Sequence, residues 1–271
     1  MSNFKTLLGT SAVALLCAGA ASATTIDITF NNSNGFGFVA TPVYTGLHSG
    51  GFDAFDEGVA ASAGVEQVAE LPIPLFPPNL IAPERLAVEP DSQGGFIADG
   101  GPIADGASAT LTIDVADPTV NRFATFLAMF VPSNDTFFGN DEADAYEIFD
   151  TAGNLIEQTI NITGASIWDA GTEVNGLFGA AAPGQDITAG EDEGGVVTRL
   201  LDIVDADGNN GFEALESLFT ITGAGSITAD TVLFTIDIAA SPAPVPLPAG
   251  LPLLLGGLGA LTFAKRRKKA A

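Results

Sequence analysis

Hydrophobic and polar residues alternate along several short segments of this chain, with the two-residue period of β-strands. In the clearest segment, residues 25–30, the large apolar side chains fall on one face and Thr or Asp on the other. The same alternation recurs at residues 108–115 and 231–238. Because successive side chains of a strand point to opposite faces, each of these segments predicts a strand that is buried on one face.

Other segments have the composition of strands without strict alternation. Residues 123–131 are apolar on both faces, as expected of a central strand. The remaining predicted strands are residues 36–46, 146–149, 156–162 and 218–222. A short helix is predicted within residues 59–69, and the proline-rich residues 71–90 are predicted to form a surface loop. About eight short strands separated by polar turns predict an all-β fold, an antiparallel β-sandwich.

The first 23 residues have the order of parts typical of a secretory signal. Lys5 precedes a short apolar run, and Ala21-Ser22-Ala23 forms an A-x-A cleavage site, which predicts a mature chain beginning at Thr24. The alternative is a lipoprotein signal ending at Cys17, which the large Leu16 before it disfavours. Cleavage at either place leaves no disulfide in the body, because Cys17 is the only cysteine of the chain.

Residues 241–271 form a separate C-terminal tail. A proline-containing linker leads into residues 245–249, V-P-L-P-A, then an apolar run to Ala264, and then the basic residues 265–269. The apolar run predicts a hydrophobic helix that nearly spans a bilayer, with the basic residues on the cytoplasmic side. A plain membrane anchor is one interpretation of this tail.

The order of these parts also resembles the VPLPA variant of the PEP-CTERM sorting signal. That resemblance implies a Gram-negative bacterium and recognition by an exosortase-type processing enzyme. It also implies cleavage within or near residues 245–249, after a transient stay in the inner membrane. The body would then be exported to the cell surface or released, and only the tail would contact the membrane.

Charge is distributed unevenly along the chain, whose formal net charge is −24. All 33 acidic residues lie between residues 24 and 246, together with only three basic residues, Arg85, Arg122 and Arg199. The body therefore carries a charge near −30. Such a body repels nucleic acid and anionic lipid and attracts divalent cations, so no nucleic-acid partner is expected.

Two short polar segments that follow predicted strands contain the candidate chemistry. Residues 132–140 and 168–175 each combine carboxylates with Gly, Asn and an aromatic residue. If the two segments meet at one end of a sandwich, Asp135, Asp169 and Glu173 can face one point. Hard oxygen ligands at one point suit Ca²⁺. The alternative is a pair of solvated turns in which Asp and Asn accept backbone N–H bonds.

These segments, P-S-N-D-T-F-F-G-N and W-D-A-G-T-E-V-N, resemble signature segments of the spondin domain in its bacterial form, and residues 41–53 resemble that family's first signature segment. The resemblance covers roughly residues 24–240. It implies a C2-like β-sandwich with a calcium ion at one edge, as in secreted matrix and adhesion proteins. The implied ligands are Asp135, Asp169 and Glu173, the last standing where animal members have Asp.

Residues 205–216 form a second possible calcium loop. The side chains that match the oxygen-bearing positions of an EF-hand loop are Asp205, Asp207, Asn209, Glu213 and Glu216. The glycine usual at the sixth position is replaced by Asn210, and no entering helix is predicted, although residues 212–218 can begin an exiting one. We favour the simpler interpretation, a Gly- and Asn-rich turn in an acidic protein.

Few residues of the body are suited to catalysis. His48 is the only histidine and has no nucleophile elbow near it, so we interpret it as a loop or core hydrogen-bonding residue. No lysine lies between the signal and the tail, which excludes a Schiff-base lysine there. We therefore expect no enzyme activity. Trp168 is interpreted as packing beneath the second acidic segment rather than binding sugar.

The sequence as a whole predicts a secreted calcium-binding protein of the cell surface or extracellular matrix, active in adhesion or biofilm matrix contact. Surface polysaccharide or matrix components are its expected partners. The alternative is a carbohydrate-binding or glycan-hydrolysing surface module, in which paired carboxylates among the abundant acids contact sugar.

We expect the surface form of the protein to begin at Thr24 and to lack residues 265–269, because of the A-x-A site and the three-part tail. Intact mass spectrometry of protein collected from the cell surface measures both ends. A surface protein that retains the basic tail would contradict exosortase-type processing and leave the plain membrane anchor.

Overall fold

A computed structural model of the protein describes residues 24–70, 93–97, 101–174, 193–204, 207–219 and 221–242. Within these ranges, the strands and helices in chain order are β1 (Thr24–Asn32), β2 (Val39–Ala40), β3 (Val43–His48), α1 (Ala63–Glu70), β4 (Gln93–Ile97), β5 (Ser108–Val115), β6 (Phe123–Val131), β7 (Thr136–Gly139), β8 (Gln158–Thr163), β9 (Ile167–Asp169), β10 (Thr198–Arg199), α2 (Gly211–Phe219) and β11 (Val232–Ala240). Three short 3₁₀ helices lie at Gly164–Ser166, Leu200–Asp202 and Ala224–Ser226.

The strands form two sheets in which the paired strands are antiparallel. The smaller sheet has the order β5-β1-β11-β8. The larger sheet has the order β10-β9-β7-β6-β3-β4, and β2 pairs beside β6. Both sheets contribute to one apolar core, so the all-β sandwich predicted from the alternation is confirmed.

Aromatic residues join the two sheets at the centre of the core. Phe30 of β1 and Phe234 of β11 belong to the smaller sheet, and Phe138 of β7 belongs to the larger one. Their ring centroids lie 5.5 Å apart for Phe30 and Phe138, 5.0 Å for Phe138 and Phe234, and 5.2 Å for Phe30 and Phe234. All three side chains are fully buried, so β7 is fixed against the opposite sheet.

The outer face of the smaller sheet consists of short polar side chains. Thr25 donates a hydrogen bond to Asp114 at 2.6 Å, and Thr112 donates one to Asp27 at 2.7 Å, in each case across neighbouring strands. Such cross-strand pairs contribute a few tenths of a kcal/mol to about 1 kcal/mol each. This face is therefore polar and acidic, and the opposite face of the same strands is apolar.

Helix α1 covers the outer face of the larger sheet. Val65, Val68 and Ala69 are its buried residues, at the spacing of one helix face. They belong to a second hydrophobic cluster that includes Phe137 of β7 and Trp168 of β9. Because neighbouring side chains of a strand point to opposite faces, Phe137 and Phe138 anchor β7 on both sides.

The predicted strand at residues 36–46 is two strands in the structure, β2 and β3. Thr41 and Pro42 separate them. Pro42 has no N–H to donate to a ladder. The hydroxyl of Thr41 accepts the backbone N–H of Met129 at 3.0 Å in place of a backbone carbonyl. The local sequence therefore interrupts the strand where composition alone predicts continuity.

Two other predicted strands are wrong. Residues 146–149 make only isolated bridges, because the Arg122 carbonyl accepts the N–H of both Ile148 at 2.7 Å and Phe149 at 3.2 Å. Residues 218–222 were expected in a strand, but helix α2 continues to Phe219. Helix α2 begins at Gly211 and contains residues 212–218, the possible exiting helix of the sequence analysis.

Several sequence predictions lie outside the described residues. These are the signal at 1–23, the loop at 71–90, and the tail beyond Pro242 with its hydrophobic helix. Within the described ranges, neither helix is long and apolar enough to cross a membrane. The chain divides into one compact unit that ends at Ala240 and a second that begins at Ser241.

Phe234→Ala is expected to lower the free energy of unfolding by about 3–5 kcal/mol, because it leaves a cavity beside the rings of Phe30 and Phe138. Val232→Ala, on the same strand at a side chain that is 41% exposed, should cost less than about 1 kcal/mol. Urea denaturation measures both values. Equal losses in the two variants would contradict the central role of the stack.

Candidate functional site

The two acidic segments meet at one edge of the larger sheet. Asp135 immediately precedes β7, and Asp169 is the last residue of β9. These strands pair directly, with Thr136 opposite Asp169, and the Ala170 N–H donates to the Asp135 carbonyl at 3.0 Å. The segments therefore converge as the sequence predicted, because their strands are neighbours in one sheet.

The Asp135 carboxylate is fully buried and only half satisfied. Its Oδ2 accepts the backbone N–H groups of Thr172 and Glu173, each at 3.0 Å, and lies 3.3 Å from the Thr172 hydroxyl. Its Oδ1 is also buried and has no hydrogen-bond partner. A buried carboxylate oxygen without a partner is costly, so this atom needs an explanation.

Asp169 shapes the loop that supplies these N–H groups. Its Oδ1 accepts the Gly171 N–H at 2.8 Å, and the side chain is buried. Gly171 has a φ of +66°, and a Cβ there would lie 2.6 Å from the backbone N and O of Val196. Only glycine fits such a position, and the Gly195 N–H donates to the Gly171 carbonyl at 2.7 Å. The loop is thus folded tightly against residues 193–197.

Helix α1 brings two further carboxylates to this edge, Glu66 and Glu70. Glu70 lies close enough to Thr172, Glu173 and Asp135 for each of them to shift its pKa. We call Glu66, Glu70, Asp135, Glu173 and Glu193 the acidic group, since each of them raises the pKa of another member or has its own pKa raised by one.

The sequence reasoning missed Glu66 and Glu70. Their four-residue spacing puts both on one helix face, where like charges destabilise a helix. Glu70 is also the last residue of α1, at the end where the helix dipole disfavours an anion, and no basic residue lies in that last turn. Two like charges four residues apart, one of them at the unfavourable end of the helix, were the signal in the sequence that could have identified these residues.

Burial raises the pKa of three members of the acidic group above their ordinary range. It raises the pKa of Asp135, which the neighbouring Glu193 raises further while the N–H bonds of Glu173 and Thr172 lower it. Burial, then Asp135 and Glu66, raise the pKa of Glu173. Burial raises the pKa of Glu70 to about 7, with contributions from Glu173, Glu66 and Asp135.

The cationic side chains of the described ranges are engaged elsewhere. Arg122 forms an ion pair with Glu147. Arg199 pairs with Glu57 at 3.1 Å and lies over the Trp168 ring, 5.2 Å from its centroid. These two are the only Lys or Arg residues among those that the structure describes. Neither is among the groups that perturb the acidic group, whose negative charge is therefore not offset by a described side-chain cation.

In the second possible calcium loop, the carboxylates of Glu213 and Glu216 hold backbone N–H groups. Glu213 accepts the N–H of Asn210 at 2.8 Å, while the Asn210 side chain accepts the N–H of Glu213 at 3.1 Å, which forms a capping box at the start of α2. Glu216 accepts the N–H of Gly225 at 2.7 Å and of Gly223 at 3.1 Å.

The other members of that loop are Asp205, Asp207 and Asn209. Asp207 and Asn209 precede α2, and Asp205 lies outside the described residues. Metal binding by residues 205–216 stays a prediction, and the capping arrangement agrees with the simpler interpretation as a turn.

Trp168 and His48 are both interior residues. Trp168 is 3% exposed, packs on Phe55 with a centroid distance of 5.3 Å, and donates its Nε1–H to the Gly139 carbonyl at 3.2 Å. His48 is fully buried, with Nε2 2.9 Å from the Thr125 hydroxyl. Both side chains therefore have the packing and hydrogen-bonding roles that the sequence favoured, and Trp168 has no free face for a sugar.

As the acidic group stands, it is not a finished metal centre. Across the described ranges, no set of three or more His, Cys, Asp or Glu side chains is arranged so that it could hold a metal ion. Comparison with known proteins found no family model that matches the chain and no similar curated protein. Any function assigned to this edge therefore depends on the residues themselves.

In the absence of metal, we expect the stability of the protein to fall as the pH rises from about 5 to about 7. Unfolded Glu has a pKa of about 4.3. Because the folded pKa of Glu70 is raised to about 7, the folded state binds more protons than the unfolded state between these values, so stability is lost as the pH rises. Urea denaturation in EDTA at pH 5, 6, 7 and 8 measures the slope.

Glu70→Gln should make this slope shallower, because it removes the group that titrates. Glu142→Gln, which makes the same change at an exposed loop residue, should keep the wild-type slope. An unchanged slope in Glu70→Gln would show that Glu70 is not responsible for the pH dependence.

Proposed function

We propose that this protein is a secreted calcium-binding protein of the cell surface or extracellular matrix, which acts in adhesion or biofilm matrix contact rather than in catalysis. The observation that carries the calcium part is Asp135. Its carboxylate is fully buried, one of its oxygens has no partner, and the surrounding acidic group has no described cationic side chain beside it. A bound cation would stabilise this arrangement more than any protein group described near it.

The chemistry of the donors favours Ca²⁺ over other metal ions. The acidic group offers carboxylate oxygens. Oxygen ligands in an irregular arrangement suit Ca²⁺, which accepts 6–8 of them at 2.3–2.6 Å, whereas Zn²⁺ prefers nitrogen and sulfur. Mg²⁺ demands near-octahedral geometry and retains more of its own water.

On this proposal, Asp135 is the central ligand through Oδ1, and Glu173 turns its side chain toward it. Asp169 keeps the loop closed through Gly171 and is also a ligand that the spondin resemblance implies. Backbone carbonyls and water complete the shell. The loops thus need side-chain movement to bind an ion, which agrees with the lack of a finished centre among the described residues.

The proposal that the protein is exported to the cell surface depends on residues at the two ends of the sequence. The A-x-A site favours secretion, and the VPLPA tail favours sorting by an exosortase-type enzyme in a Gram-negative bacterium. A strongly acidic body is compatible with a calcium-containing extracellular medium, since bound cations relieve its self-repulsion. The resemblance to spondin domains supports adhesion, with surface polysaccharide or matrix components as partners.

Calcium is expected to raise the melting temperature of the purified body well above the effect of NaCl at equal ionic strength. At a hundredfold excess over Kd, binding to the folded state alone contributes about 2.7 kcal/mol. For a domain of this size, that corresponds to roughly 5–10 °C. Thermal unfolding followed by circular dichroism measures the difference.

Asp135→Asn should abolish most of the stabilisation by calcium. Without metal, the variant should be at least as stable as the wild type, because the amide keeps the shape of the side chain and removes a buried charge. Asp169→Asn should also remove most of the effect. Asp144→Asn, the same change at an exposed residue, should leave it intact. Equal stabilisation by calcium and NaCl, or a full calcium response in Asp135→Asn, would refute the site.

A further inference from the structure

We propose that the open edge of strand β8 pairs with the same strand of a second copy of the chain. The smaller sheet has four strands, so this pairing joins two of them into one continuous sheet of eight. The inference goes beyond the proposed function, because it concerns assembly of the protein and does not depend on calcium binding.

Strand β8 lies at the edge of the smaller sheet and pairs with β11 on one side only. Among the residues that the structure describes, no backbone hydrogen bond reaches the other side of β8 between Thr159 and Thr163. The side chains of Thr159 and Asn161 are exposed. Such an edge presents a row of unpaired N–H and C=O groups, which a further antiparallel strand can satisfy.

The sequence of β8 does not oppose such pairing. Its six residues, Q-T-I-N-I-T, contain no charged side chain and no proline, and Thr and Ile favour strands. The other edge strands in the described ranges differ. Strand β10 has only two residues, β4 contains two consecutive glycines, and β5 contains Asp114. The edge of β8 is therefore the one best suited to a second strand.

The spacing of side chains along β8 suits pairing with itself. An antiparallel pair with its two-fold axis at Asn161 places Asn161 opposite its own copy and Thr159 opposite the second copy's Thr163. Ile160 then lies opposite the second copy's Ile162. Because opposite residues of paired strands share a face, polar side chains remain on the outer face and apolar ones on the inner face. The pairing adds about four backbone hydrogen bonds or more.

The negative charge of the body opposes association at long range, but β8 itself carries no carboxylate. On the outer face, Asp237 of the neighbouring β11 accepts a hydrogen bond from Thr159 at 2.5 Å. Three strand spacings, about 14 Å, separate Asp237 from its copy across the joint. That distance exceeds the Debye length of about 8 Å at physiological ionic strength, so salt should strengthen the pairing.

Analytical ultracentrifugation of the purified body in EDTA tests the pairing in the absence of calcium. At about 0.5 M NaCl, where the Debye length is about 4 Å, we expect a dimer whose fraction rises with protein concentration. At about 0.01 M NaCl, where the Debye length is about 30 Å, the dimer fraction should fall by roughly fivefold.

Two lysine variants show where the contact lies. Asn161→Lys brings two like charges together at the two-fold axis and should raise the Kd of the dimer by about tenfold or more. Thr112→Lys makes the same change at an exposed residue of β5 and should not raise it. Both variants reduce the net negative charge, which by itself favours association, so weaker pairing in Asn161→Lys alone identifies β8. Circular dichroism checks that both variants are folded.

Cross-linking tests the register. The body has no cysteine, so Asn161→Cys introduces a single thiol. Opposite residues of an antiparallel pair have Cα atoms about 4.5–5.5 Å apart, within the range of a disulfide. Oxidised glutathione should therefore convert Asn161→Cys into a covalent dimer. Thr159→Cys should stay monomeric, because the pairing places its copy about 13 Å away along the strand.

Three results would overturn this inference. One is a wild type that stays monomeric at high salt and high concentration, which would leave the β8 edge to a strand of another protein. Another is equal dimer affinity in Asn161→Lys and Thr112→Lys. The third is a covalent dimer of Thr112→Cys without one of Asn161→Cys, which would assign the contact to β5. Because every measurement is made in EDTA, these outcomes are independent of calcium binding at the acidic edge.

Discussion

The contact between Phe30, Phe138 and Phe234 is the interaction on which the rest of the structure depends. It joins the two sheets through β7, a short strand beside the acidic edge that is anchored on both faces. Phe138 packs inward and Phe137 packs under α1. A hairpin held this firmly can keep the Asp135 carboxylate out of water, where a looser turn would let it escape to solvent.

That rigidity also explains why the acidic edge has a definite geometry. The backbone N–H groups of Thr172 and Glu173 satisfy one oxygen of Asp135, and Gly171 allows the loop to lie against residues 193–197. The other oxygen of Asp135, Oδ1, has no hydrogen-bond partner and is free to contact a cation that the acidic group attracts. On our proposal, protein packing fixes the position of the charges, and an ion from the medium offsets them.

Much of the fold could be predicted from the short-range pattern of hydrophobic and polar residues. β5 and β6 begin and end where alternation and apolarity predicted, and Asp135 and Asp169 converge as expected. The end of α2 was predicted as a strand because Leu218 and Phe219 favour a strand locally, while the cap at Asn210 and the burial of Phe212 belong to a helix. The position of Glu70 near the acidic edge was missed because it depends on how α1 lies across β7, which no local spacing encodes.

If the protein is exported as we propose, the scarcity of cationic residues has a consequence for its survival outside the cell. Proteases of the trypsin type cleave after Lys or Arg, and the body between residues 24 and 246 contains three such residues, Arg85, Arg122 and Arg199. Arg122 and Arg199 are each held in an ion pair within folded structure. A protein built this way presents such enzymes with few bonds to attack, and it also offers no lysine amine in the body for chemical cross-linking.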